Sequence, residues 1–473
     1  MPAVTRQRFD PPIPVEKGDS TRSVDTRYGR QSGRAPFAWT MAIPVPNNEV
    51  KSLRDIAPVQ WKCGIAAWLG WLFDGMDGTL YTLAAPIFVG QLLQVHHEPV
   101  RLQSAWIQFW FLIGWACGGA FFGRIGDRIG RSRTIMLTIL TYALFTGLSA
   151  FAHSWQELAV YRFLAALGIG GEWAAGSSLV AETWPKKWRP ELSAVLQSAY
   201  QVGYLIAAVS LAVYSNVIHN EQQTRWIFLI GALPALITYW IRRNIPEPDE
   251  WTEAKNRSGG IEPRTIDLFR GSVVKTTILT ILVCSVALTA IWGLIFWSVP
   301  HLQGLKDISG WSKVHKQAYS SQVVLLATLT AIAGNFFAAF LARRFGYRVA
   351  AGVMFAGGVL CMSGAYGVEH NHTEMYLWLP VAHFFIQGIF GLFPLYIPPL
   401  FPTLLRTTGA GFCYNIGRVV AAVGTVGFGI IAAKSAVAGA HPDYRVALFY
   451  LGMLPIIGVF VAFAIPEPPK DPA

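Results

Sequence analysis

Asp74 and Asp77 stand three residues apart inside a long apolar run that begins at Trp61. Glu172 stands in another such run, in the motif Gly170-Gly171-Glu172-Trp173, with Arg162 ten residues before it. Arg418 lies inside a third. A charge at bilayer depth costs at least about 2.5–3.5 kcal/mol on insertion scales. A chain that keeps several must pair them or turn them onto a cavity. The chemistry open to these side chains is proton exchange at the carboxylates and anion binding at the arginines.

Spacing and depth sharpen that reading. Residues three apart share a helix face. At a rise of about 1.5 Å per residue, Asp74 and Asp77 fall roughly 18 and 22 Å from the inner edge of a bilayer core. Arg162, on a helix running the other way, falls about 9 Å below the outer edge, at matching depth. Arg162 is therefore expected to pair with Asp77 or Asp74. Protonation would break such a pair, which makes it a coupling element; a static tie between two helices is the alternative. Depth favours Asp77 as the titrating partner. Glu172 lies deeper, as a second proton site or a packed structural acid.

Arg418 falls near the midplane. Its planar fork suits a carboxylate, though a structural bond to Asn415, Gln387 or backbone carbonyls would also hold it. Gln197, Tyr200 and Gln201 reach similar depth, as do Gln387 and His383, and all can hydrogen-bond a ligand. Trp292, Phe296 and Trp297 either wall the same space or anchor a helix end at the interface.

The elements that position these residues follow from composition. Of 473 residues 53% are hydrophobic and only 14% charged, against about 25% charged in ordinary soluble proteins. Mean hydropathy is +0.39. Twelve apolar runs of spanning length lie near 61–89, 103–123, 133–152, 156–181, 191–216, 226–243, 274–300, 317–342, 348–367, 375–401, 407–433 and 444–465. The expected fold is an all-α membrane protein of twelve transmembrane helices. Residues 1–59 read as a disordered cytoplasmic tail, 60–243 as a first six-helix bundle, 244–272 as a polar linker, 273–466 as a second bundle and 467–473 as a short tail.

Lys and Arg set the orientation. The loops on the linker side carry 17 of them and those on the opposite side 7, with ten more in residues 1–62. Both termini are thus expected in the cytoplasm. The net charge of +11 is accounted for by topology and not by nucleic-acid binding. The five cysteines all fall in apolar runs, which argues against a disulfide framework. Nucleophile, phosphate-loop and zinc motifs are missing. No enzymatic activity and no cofactor are expected.

Three landmarks repeat at nearly one offset. Pro185-Lys-Lys-Trp-Arg189 and Pro402-Thr-Leu-Leu-Arg406 are 217 residues apart; Ile245-Pro246-Glu247-Pro248 and Ile465-Pro466-Glu467-Pro468 are 220 apart; Arg128-Ile-Gly130 and Arg344-Phe-Gly346 are 216 apart. Such a parallel repeat implies two pseudo-equivalent halves with a site between them.

Gly123-Arg-Ile-Gly126-Asp127-Arg128-Ile-Gly130-Arg131 resembles the helix 2–3 loop signature of the major facilitator superfamily. Glu182-Thr-Trp-Pro185-Lys-Lys-Trp-Arg189 resembles its helix 4–5 loop. Asp74-Gly-Met-Asp77, Gly170-Gly-Glu-Trp173 and Gly411-Phe-Cys-Tyr-Asn-Ile-Gly-Arg418 are similar to its metabolite, sialate and aromatic-acid proton symporter branches. The resemblance implies a gate built from Asp127, Arg128, Arg131, Glu182 and Arg189. It also implies alternating access in the cell membrane. Arg343 stands where the first half has Asp127, and Pro399 where relatives often carry an acid, so a symmetric gate is not expected.

Together these observations point to a secondary transporter, a proton-coupled symporter of a small organic anion, acting as a monomer with protons, substrate and lipid as its partners. A carrier of sugars or polyols, an uncoupled facilitator and a transporter-like sensor remain alternatives.

Overall fold

The computed structural model describes residues 52–93, 98–217, 221–234, 236, 240–241, 244–259, 262–435 and 444–468. Most of the expected N-terminal tail, and residues 469–473 of the C-terminal one, lie outside the described residues.

The described elements are all helical. They are α1 (Pro58–Leu93), α2 (Glu98–Ile129), α3 (Arg131–Ser149), α4 (Trp155–Thr183) and α5 (Arg189–Val217), then a 3-10 helix at Glu221–Ala232. A short helix α6 (Asp249–Arg257) follows in the linker. The second half holds α7 (Val273–Gln303), α8 (Lys313–Phe345), α9 (Tyr347–Gly367), α10 (His372–Ile386), α11 (Phe393–Tyr396), α12 (Arg406–Ser435), α13 (Tyr444–Leu451) and α14 (Pro455–Ala464). Seven described helical stretches are long and apolar enough to cross a membrane by length and composition alone.

Described structure is already present before the expected boundary at residue 60. Ser52 caps a 3-10 turn at Leu53–Asp55, and α1 follows from Pro58. The tenth expected span is broken: α10 ends at Ile386, a 3-10 turn covers Gly388–Gly391, and α11 and a further turn carry the chain to Leu400. The prolines at 394, 398 and 399 remove amide donors and prevent one continuous helix. The twelfth span breaks likewise between Leu451 and Pro455.

Two of the repeated landmarks turn out to be one device used twice. Gly130 (φ +112°) and Gly346 (φ +90°) each separate two helices with a backbone that L side chains rarely adopt. The amides that start the next helix need acceptors. In the first half, Ser132 and Arg133 donate to the Glu247 carboxylate at 3.2 and 3.1 Å. In the second, Tyr347 and Arg348 donate to Glu467 at 3.3 and 2.9 Å. The glutamate of each Pro-Glu-Pro thus clasps the last span of its half to the third. Burial pushes the Glu247 carboxyl above the ordinary glutamate range, against the pull of the amides it accepts.

Candidate functional site

The two aspartates on α1 part company. Asp77 takes Arg162 whole, with Nη1 and Nη2 donating at 3.1 and 2.9 Å, and Thr146 Oγ1 adds a bond of 2.7 Å. The guanidinium lies over Tyr81 and Phe111, at 4.8 and 4.7 Å from their centroids. Arg162 is fully buried. Asp74, one turn earlier and also fully buried, receives nothing from it. Neither Asp74 oxygen meets a donor. Of the two partners that depth left open for Arg162, it takes Asp77 and not Asp74.

Asp74 instead neighbours Glu172. The glycines of the Gly-Gly-Glu-Trp motif explain how α4 delivers that acid. A Cβ on Gly170 would lie 2.1 Å from the Trp115 carbonyl oxygen, and one on Gly171 2.1 Å from Phe122 Cβ. Only bare backbone lets α4 lie this close to α2. The next residue, Glu172, then points at α1, where its Oε1 would sit 2.0 Å from a Cβ on Gly70. Glu172 Oε1 has no donor either. The residue after that, Trp173, stacks across the halves on Tyr414 at 4.2 Å. A small cavity of about 230 Å³ reaches Glu172, and Trp71 forms part of its wall.

Trp71 also lines a larger cavity, of about 430 Å³, between the halves. Gln197 and Tyr200 enter it from α5, Trp292 from α7, Gln387 from the break after α10, and Arg418 from α12. Arg418 is packed over Trp115 at 3.9 Å from the ring centroid. Its Nη1 donates to Asn415 Oδ1 at 2.5 Å, while the buried Nε meets no acceptor. Asn415 in turn donates to the Gly411 carbonyl at 2.8 Å. It therefore holds one edge of the arginine and leaves the other open. His383 and Gln201 are buried outside this cavity, and neither amide atom of Gln201 has a partner. Phe296 and Trp297 lie outside it too; the Trp297 indole donates to the Thr425 carbonyl.

On the face that carries the linker, Asp127 accepts the Thr407 and Thr408 amides at 3.1 and 2.8 Å, in the first turn of α12. Anions are favoured there by the helix dipole. Arg131 binds Asp127 at 3.2 Å and Glu182 at 2.7 Å, and also donates to the Thr403 carbonyl across the halves. Glu182 receives Arg406 from the second half at 3.0 Å.

The expected partners Arg128 and Arg189 do not join Glu182. Arg128 reaches out to Glu262 in the linker, while Arg189 donates to the backbone carbonyls of Ala181 and Trp184. Arg406 and Glu250, which binds it at 2.9 Å from α6, escaped the sequence reading. Arg406 stood out only as a repeat landmark.

The expected asymmetry of the gate takes the form of a reversed charge at equivalent places. Arg343 pairs with Glu191, in the first turn of α5, and covers Trp188. Residues 343 and 407 each lie 216 after 127 and 191. The same two places therefore touch in both pseudo-repeats, with the charge reversed. In the first half an acid meets the helix amides, and in the second a base meets an acid on that turn.

Asp127→Asn should weaken the contact with α12 without touching the cavity. Turnover is expected to change at least several-fold while equilibrium substrate affinity stays within a few-fold. A large loss of affinity at normal turnover in a binding and uptake assay would refute the gating role.

The Major Facilitator Superfamily profile matches residues 67–433. The sialic acid transporter NanX of Escherichia coli (strain K12) is 31% identical over 366 residues, 77% of this chain and 85% of that one. The niacin transporter NiaP of Acinetobacter baylyi is 29% identical over 371 residues, covering 74% and 82%. The cis,cis-muconate transport protein of the same species is 26% identical over 410 residues, covering 84% and 94%. Among solved structures, the proton:xylose symporter XylE superposes with a TM-score of 0.69 at 16% identity, over 86% of this chain and 96% of that one. Matched along most of its length by the family profile, and folded as two pseudo-repeated helical halves around a shared cavity, the chain belongs to the major facilitator superfamily of multi-pass membrane transporters.

Proposed function

We propose that this transporter is a proton-coupled symporter of a small organic acid in the cell membrane, working by alternating access. The observation that carries the reading is Arg418: a buried cation whose Nε has no acceptor, opening onto a cavity between the halves. Such a group calls for an anion, and a carboxylate matches its fork. Sialic acid, niacin and cis,cis-muconate, the compounds in the relatives' names, are all carboxylic acids. In this reading Asn415 positions the arginine, and Gln197, Tyr200 and Gln387 contact the rest of the substrate.

The proton belongs to the acids on α1 and α4. Asp77 is fully paired with Arg162 and Thr146 and stays the tie between α1, α3 and α4. Asp74 and Glu172 are the two neighbouring acids without donors, and one proton between them would supply the missing hydrogen bond. Asp127, Arg131, Glu182 and Arg406 close the linker side, with Arg343–Glu191 as the second lock. That side is the cytoplasmic one, by the excess of Lys and Arg.

The test is uptake of a panel of radiolabelled carboxylates and neutral sugars into proteoliposomes, with and without an imposed pH gradient. Carboxylate accumulation driven by the gradient is expected, together with protection of the linker position Ser258→Cys from impermeant label applied to intact cells. Transport of neutral sugars alone would overturn the reading, as would uptake indifferent to the pH gradient.

A further inference from the structure

We infer that Trp173 and Tyr414 form the coupling element of the transporter: a stacked pair of rings, one from each half, that makes the state of the Asp74–Glu172 acids and the grip of Arg418 change together. The inference rests on the symport reading and names the positioning residues that join its two sites.

The stack stands apart in two ways. Its centroids lie 4.2 Å apart with the planes 17° from parallel, the closest ring pair among the described residues. It is also the one ring–ring contact among them that joins the first six-helix half to the second. Both rings are buried. They face different compartments. Trp173 borders the small cavity that reaches Glu172, while Tyr414 borders the larger one that Arg418 enters. Trp71 borders both cavities, but its ring partners Trp173 and Tyr200 belong to its own half.

Helix geometry makes the pair a lever. Successive residues on an α-helix point about 100° apart, so α4 sends Glu172 towards α1 and Trp173 towards α12. The two helices meet one residue on, where a Cβ on Gly411 would lie 3.0 Å from the Ala174 Cβ. Tyr414 lies one turn after Gly411 and one turn before Arg418, on the same side of α12 as the arginine. The guanidinium packs on two rings, 5.1 Å from the Tyr414 centroid and 3.9 Å from that of Trp115.

Two neighbouring carboxylates that lose a shared proton repel each other. A turn of α4 that draws Glu172 from Asp74 moves Trp173 against Tyr414, and Tyr414 passes the push to the guanidinium. The chain also runs backwards, from an anion at Arg418 through the stack to the acids. By linkage, the proton tightens anion binding by the same factor as the anion tightens proton binding. The acids are also within electrostatic range of Asp77, itself paired with Arg162, and of Tyr142 on α3, Tyr200 on α5 and Arg418 on α12. Direct attraction between Asp74 and Arg418 is therefore the rival route, and it needs no ring between them.

The experiment is equilibrium binding of radiolabelled nicotinate, N-acetylneuraminate and cis,cis-muconate to the full-length protein in nanodiscs, over a series of pH values. Native affinity for a probe that binds should tighten about 5- to 150-fold on acidification. Trp173→Met replaces the ring by a flexible apolar chain that fills irregular space. At the acid end it should bind within about threefold of the native protein, and its change with pH should shrink to less than about twofold. Trp173→Phe keeps a ring and should restore most of the pH dependence. A purely structural Trp173 would instead lower yield, or weaken binding evenly at every pH with the slope intact. Tyr414→Leu removes the other ring and should flatten the profile in the same way, so the test survives if Trp173→Met does not fold. A native slope in either ringless variant would overturn the role of the stack, hand the linkage to the Asp74–Arg418 attraction and leave the symport reading standing. Native binding indifferent to pH, or binding of none of the probes, would overturn the symport reading and the stack with it.

Discussion

Arg418→Ala is expected to abolish measurable binding of carboxylate substrates. Removing one partner of a buried, hydrogen-bonded charge pair costs about 2–5 kcal/mol, roughly 30- to several-thousand-fold in affinity. The upper part of that range applies where the ligand carboxylate has no other cation to turn to, and the cavity offers none among the described residues. Arg418→Lys keeps the charge but not the two-pronged geometry. It should bind weakly, about 10- to 100-fold below the native protein. Folding is not expected to suffer to the same degree, because among the described residues Asn415 alone loses a hydrogen bond and Trp115 loses its ring contact. Substrate binding isotherms on the two variants, with thermal stability followed in parallel, decide the matter. Normal affinity in the alanine variant would move the anion site elsewhere.

The second large effect concerns the proton. A one-unit pH gradient acting through one coupled proton supports about a tenfold concentration ratio of substrate. Asp74→Asn imitates the protonated acid permanently. The variant should still exchange labelled for unlabelled substrate across the membrane, yet its accumulation ratio under the gradient should fall to about one. Asp77→Asn should behave differently. It would leave Arg162 buried without its carboxylate, at a cost of about 3–5 kcal/mol. Low yield or loss of folded protein is the expected outcome, not a clean loss of coupling. Depth along the helix favoured Asp77 as the titrating group; the hydrogen bonds favour Asp74. Counterflow and pH-driven uptake measured side by side on both variants separate the two. Full accumulation by Asp74→Asn would leave Glu172 as the proton carrier.

Much of the architecture was legible because membrane burial is written into long stretches of sequence. Twelve apolar runs, and three landmarks repeated at nearly one spacing, need no tertiary contact to be seen. Matching depths narrowed the partner of Arg162 to Asp77 or Asp74, since rise along a helix is fixed. What stayed hidden depends on azimuth and on contacts across the halves. Nothing in the α1 sequence says that Asp74 turns towards Glu172 while Asp77 turns towards Arg162 and Thr146. The bonds of Glu182 to Arg406, and of Arg343 to Glu191, join residues more than 150 positions apart, and no local pattern announces them. Trp115 is one tryptophan of 18, and only packing reveals that it carries the guanidinium.

One close approach ties these parts together. The backbones of α2 and α12 cross at Gly119 and Gly411, where a Cβ on Gly411 would lie 2.3 Å from the Gly119 carbonyl oxygen. A Cβ on Gly119 would collide with the Asn415 amide nitrogen at 1.7 Å. The two backbones meet here with the Asn415 amide lodged against Gly119, a bearing over which the halves would roll in the proposed alternating access. The bearing sits beside the residue that steadies Arg418. In the proposed alternating access, a tilt that unseats Asp127 from α12 would carry Asn415 past Gly119, and so would gear the grip on the cargo to the swing of the two halves.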